Sequence, residues 1–144
     1  MTSSLTLTYE FSRDDDFGWL QAKVLTPKVG GDLGFWVQWQ DIEEWAGRLS
    51  RYPITLDSPL RADWGQSDDD GGNYQAIVKV TVAAIDAAGH LEVLVNLSDQ
   101  YDRRHHCQAV FRTTYVELER FAAALRAMMA RAGCDAVLTG NDIG

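Results

Sequence analysis

Cysteine, proline and histidine are scarce in this chain, at two, three and three among 144 residues. Cys107 and Cys134 are too few and too isolated for a disulfide scaffold or a structural zinc site, so both are read as free thiols. No apolar run approaches the roughly 18 residues that span a bilayer, and the opening MTSSLTL lacks the basic start and apolar stretch of a secretory signal. No membrane association and a cytoplasmic location are therefore expected. Positive charge is also short: 13 Lys and Arg stand against 21 Asp and Glu, a formal net charge of −8. Such a chain repels phosphate backbones, which argues against nucleic-acid binding through a basic surface. A basic protein is the easier partner, although acidity also serves plain solubility.

Signatures of phosphate, calcium and nucleophile chemistry are missing too. Gly30-Gly31 and Gly71-Gly72 lack the lysine and following helix of a phosphate-binding loop. Asp68-Asp69-Asp70-Gly71 has neither the alternating ligands of a calcium loop nor its closing glutamate, because the twelfth position from Asp68 is Lys79. There is no Gly-x-Ser-x-Gly elbow, and the carboxylate pairs Glu43-Glu44 and Asp14-Asp16 fall in turns or near a helix start. Neither an enzyme nor a cofactor is expected.

What is present suits one packed domain. Hydrophobic residues make up 46% and charged residues 24%, with five each of Trp, Tyr and Phe. At this length, folding can bury about 68–70% of the surface of the unfolded chain. Alternation predicts strands at Leu5–Phe11, Phe17–Thr26, Leu33–Trp39, Leu60–Trp64, Tyr74–Ile85, Leu91–Leu97 and His105–Thr113. Asp41 with Glu44, and Thr114 with Glu117, have capping-box spacing. Each opens an apolar stripe, namely Ile42, Trp45, Ala46 and Leu49, then Leu118, Phe121, Ala122, Leu125 and Met129. Gly133 suits the second helix's C-terminal cap. The expectation is an α+β domain with a predominantly antiparallel sheet of six to seven strands and two amphipathic helices, laid out as two strand-strand-strand-helix halves. Its ordered core runs from about residue 5 to 133, with a flexible tail over 134–144.

Several residues are candidates for function. Within His105-His106-Cys107 only His105 and Cys107 share a strand face, so a metal or thiol site there needs a third group such as His90. In Phe35-Trp36-Val37-Gln38-Trp39, alternation sends Phe35, Val37 and Trp39 to one face and Trp36 to the other. Trp36 is then either covered by a second layer or free as a binding anchor, and Trp64 joins it as a candidate. Asp14, Asp15 and Asp16 and the run Asp68, Asp69 and Asp70 are the acidic candidates for contact with a partner. Apolar residues on both faces of a strand, as at Ile77 and Val78, open a further reading as an oligomeric subunit. A small-molecule module or a hydrolase with a Trp-lined pocket is the remaining alternative.

Asp86, Gly89, His90, Leu91, Val93 and Val95 form a D-x-x-G-H-[VL]-x-[VL]-x-[VL] hairpin. With Asp41–Leu49 and Glu117–Leu125 as its two helices, the chain from about Thr6 to Ala130 resembles small bacterial domains of the WapI-type immunity protein group and allied families. The resemblance implies a non-enzymatic protein that binds and neutralises a bacterial toxin domain. The toxin would be a basic protein, met by the acidic runs and by Trp36 and Trp64.

Overall fold

In the computed structural model the described residues are 2–51, 53–67 and 73–141. The chain runs β1 (Thr2–Phe11), β2 (Phe17–Leu25), β3 (Gly30–Gln38), α1 (Trp39–Leu49), β4 (Leu60–Ser67), β5 (Tyr74–Ala84), β6 (His90–Ser98), β7 (His106–Thr114), α2 (Tyr115–Met129) and β8 (Asp135–Asn141). The fold is α+β, with two helices and one antiparallel sheet of eight strands in the order β3-β2-β1-β8-β7-β6-β5-β4. No helix among the described residues is long and apolar enough to cross a membrane.

One face of the sheet is the core face. Leu5, Leu7, Leu20, Ala22, Val24, Val80, Val82, Val93, Val95, Phe111, Ala136 and Leu138 are buried on it at alternate positions, and the ladders set Leu5 opposite both Val24 and Leu138. The helices pack against each other, α2 lies on β8, and the fully buried Trp45 meets Phe121 edge to face at 5.9 Å. The sheet also curls, so that β3 at one end approaches β4 at the other. β3 crosses β7, β6 and β5 on the way, with Gly31 against Cys107 and Leu97, and its end at residues 35–38 meets edge strand β4 at a seam.

Several sequence expectations are corrected. Residues 135–141 are not a flexible tail: they form β8, paired along β1 and touching β7 at Arg112–Asn141. The layout is accordingly three strands and a helix, four strands and a helix, then a strand that returns to the middle. α1 begins at Trp39, and Gln38 in the cap position makes no side-chain cap bond. The Trp39 amide donates to the Asp16 carbonyl at 3.1 Å, so the β1–β2 turn serves an amide at the helix start, and Asp41 lies inside the first turn. The cap at Thr114 does form, its hydroxyl accepting from the Glu117 amide at 3.4 Å.

The end of α2 also differs from expectation. Arg131, at φ 62°, takes the left-handed position foreseen for Gly133. Ala132 donates to the Ala127 carbonyl at 2.8 Å and Arg131 to that of Met128 at 3.1 Å, a Schellman ending. The Arg131 guanidinium rests 4.0 Å over the Phe11 ring. On β5, the register passes from Val78 opposite Trp64 to Ala76 opposite Gly65, leaving Ile77 as an extra residue. The bulge turns Ile77 inward beside Val78, and both are fully buried in the same core. The apolar second face expected from alternation is therefore absent at this point.

Candidate functional site at the seam of the sheet

Two tyrosines, each crossing a glycine, frame the seam. On the core face, Gly18 of β2 leaves room for the Tyr9 ring to pass over it, and the Tyr9 hydroxyl donates to the Val37 carbonyl of β3 at 2.6 Å. On the outer face, Gly65 of β4 leaves room for Tyr74, whose hydroxyl donates to Asp63 Oδ1 at 2.8 Å. One bond anchors edge strand β3, and the other orients a carboxylate on edge strand β4. Burial, reinforced by Asp15, Asp16 and Asp41, pushes the Tyr9 phenol up to about 12. Burial and the bond to Asp63 push the Tyr74 phenol up to about 12. Both phenols stay protonated near neutrality and keep their bonds.

Between them lies a cleft of 340 Å³ lined by Phe17, Phe35, Trp36, Val37, Gln38, Asp41, Asp63, Trp64, Gly65 and Tyr74. Phe17, Trp36 and Tyr74 are exposed at 41%, 50% and 55%, so three large aromatic side chains left open to water gather here. Trp36 stacks edge to face on Trp19 at 5.2 Å, and Trp64 on the buried Trp45 at 5.9 Å. Those contacts hold the rings from behind while leaving surface toward the cleft. Among the described residues the lining has two carboxylates, Asp41 and Asp63, and no cationic side chain. A neighbouring hollow, sharing Phe17 and Trp36, adds Asp15. On the other side, a hollow sharing Asp41, Asp63 and Trp64 adds Glu44, Arg48 and Arg61. Together they make a groove with an acidic aromatic centre and two arginines at one end.

Of the candidates named from sequence, Trp36, Trp64 and Asp15 meet along this groove. Among the described residues no layer closes over Trp36. Asp14 is exposed in the turn, outside the groove lining. Asp16 is occupied with the helix start, its Oδ2 accepting from Gln40 Nε2 at 3.0 Å. Asp68, Asp69 and Asp70 lie outside the described residues. Alternation alone misses Asp41, Asp63, Phe17 and Tyr74; the aromatic residues opening β2 and β5 and the carboxylate one place before Trp64 are the signals that point toward them.

The histidine and cysteine candidates do not converge. Cys107 stands opposite Leu97, whereas His90 stands opposite Thr114, seven residues along the strand or about 23 Å at the usual rise. His90 Nδ1 instead meets Asp86 Oδ2 at 2.8 Å, a contact that holds the Asp86 carboxyl below its usual range. Burial raises the Cys107 thiol, which disfavours the thiolate a nucleophile needs. Among the described residues, no group of three or more His, Cys, Asp or Glu side chains is placed to hold a metal ion. Comparison with protein-family models, curated proteins and solved structures gives no match.

Proposed function

We propose that this chain is a non-enzymatic protein-binding domain that captures a basic protein partner along the β3–β4 seam, in the manner of an immunity protein neutralising a toxin domain. One observation carries the reading: exposed Phe17, Trp36 and Tyr74 collect around Asp41 and Asp63 in a cleft that no cation lines among the described residues. Exposed aromatic anchors concentrate interface energy, and a rim of one charge steers an oppositely charged partner. The net charge of −8 acts in the same direction, and the resemblance of the hairpin from Asp86 to Val95 to that of the WapI-type group suggests the immunity element of the proposal. A hydrolase with His90, His105 and Cys107 in one pocket is disfavoured by their separation along the β6–β7 ladder.

The test is affinity capture from the native cell with the wild-type chain and with a folded Trp36→Ala/Asp63→Lys variant. The expected result is a basic protein, toxic when expressed alone, retained by the wild type and lost by the variant. Equal retention by both chains would remove the seam from the interface.

A further inference from the structure

We infer that the seam cleft seats one arginine side chain of the partner, its guanidinium held between Asp41 and Asp63 and against the rings of Trp36 and Trp64. The inference rests on the reading of this chain as a binder of a basic protein, and it names the group recognised. A cleft of 340 Å³ has room for one long side chain, and its aromatic walls suit the stem as well as the charged head. Asp41 comes from the first turn of α1 and Asp63 from β4, so the two acceptors belong to different elements. A planar group with five donors can bridge separated carboxylates while stacking on indole faces; an ammonium, a compact and strongly hydrated point charge, does this less well.

The acceptors are set for such a guest. Tyr74 donates to Asp63 Oδ1 at 2.8 Å, which orients the carboxylate and leaves Oδ2 for a donor from outside. Among the described residues, no hydrogen bond or ion pair engages the Asp41 carboxylate. On the far side of Trp64, Arg48 Nη2 donates to the Arg61 carbonyl at 3.4 Å and Arg48 Nε lies 4.0 Å from Glu44. Arg48 and Arg61 thus occupy the next hollow, and Lys79, opposite Asp63 in the ladder, does not line the cleft, so the cationic guest belongs on the Trp36 side. Cation–π contact with tryptophan supplies the second attraction, of the kind that Arg131 makes with the phenylalanine ring of Phe11 elsewhere in this molecule.

The experiment titrates Nα-acetyl-arginine N-methylamide into ¹⁵N-labelled protein and follows the tryptophan indole N–H resonances, with the lysine and glutamine analogues alongside. Trp36 and Trp64 should shift saturably while buried Trp45 moves least, and the arginine compound should bind at least about threefold more tightly than the lysine one. Trp36→Ala should weaken it about two- to fivefold, and Asp63→Asn about tenfold. Asp57→Asn, on an exposed loop away from the cleft, should leave it unchanged. Absence of a saturable shift at Trp36 and Trp64, or equal responses to arginine and glutamine, would overturn the inference. Capture of a basic partner sensitive to Trp36→Ala/Asp63→Lys alongside a silent arginine titration would refute the arginine seat and leave the protein-binding reading standing. Saturable arginine binding with no captured partner would do the reverse.

Discussion

Replacing Gly18 by alanine places a Cβ 2.6 Å from the Tyr9 hydroxyl, nearer still to its ring carbon Cζ, and 2.5 Å from the Glu10 carbonyl. The ring must swing off β2 and release the 2.6 Å bond to the Val37 carbonyl. Overpacking costs about 1–3 kcal/mol, and the lost bond about 0.5–1.5 kcal/mol. Exchanging glycine for alanine within a strand returns about 0.5–1 kcal/mol. The net loss is about 0.5–4 kcal/mol, or roughly 2–13 °C in Tm for a domain of this size. Urea unfolding followed by tryptophan fluorescence measures it, and a double-mutant cycle with Tyr9→Ala isolates its cause. In the Tyr9→Ala background there is no ring to displace and only the contact with the Glu10 carbonyl remains, so Gly18→Ala should cost measurably less there than in the wild type. Equal cost in both backgrounds would refute the idea that Gly18 exists to let Tyr9 reach β3.

Three further outcomes are expected. Tyr9 and Tyr74 have phenols raised from 10.0 to about 12, so their contribution to stability is complete below about pH 10 and is lost as pH rises through about 12. Unfolding free energy measured across that window should fall, and less steeply in Tyr74→Phe; titration of Tyr9 and Tyr74 near 10 would contradict this. At Arg131, alanine keeps the left-handed strain and loses the Phe11 contact, whereas glycine relieves the strain. Arg131→Gly should therefore be about 1 kcal/mol more stable than Arg131→Ala in denaturant unfolding. Thr114→Ala should cost about 1 kcal/mol by loss of the helix cap, in contrast with Asp41→Ala, which caps nothing and should cost about 0.5 kcal/mol through the helix dipole alone.

The parts of the fold that were legible from sequence are those governed by local periodicity. Period-two alternation in Leu91–Leu97 and period-3.6 spacing from Leu118 to Met129 describe which side of one element faces the core, and both sets of positions are buried. β8 escaped because DAVLTGN is short, and its strand character is fixed by a distant partner, β1, at the other end of the chain. The start of α1 escaped for a similar reason: the acceptor for its Trp39 amide is a carbonyl in the β1–β2 turn. Ile77 misled because a bulge reverses the facing of every residue before it on β5. At the site, Trp36 and Trp64 stood out by composition, but their meeting depends on the curl of an eight-stranded sheet. Asp63 and Tyr74 acquire meaning only from the bulge and glycine that let one reach the other.

The seam itself can be tested by hydrogen–deuterium exchange on the complex with the captured basic partner. Residues 35–38 on β3 and 63–67 on β4 belong to unpaired edges, so their outward amides exchange readily in the free protein. In the complex these segments should be slowed together. Protection confined to other surfaces, with residues 35–38 and 63–67 exchanging as in the free chain, would contradict the assignment of the seam as the binding surface.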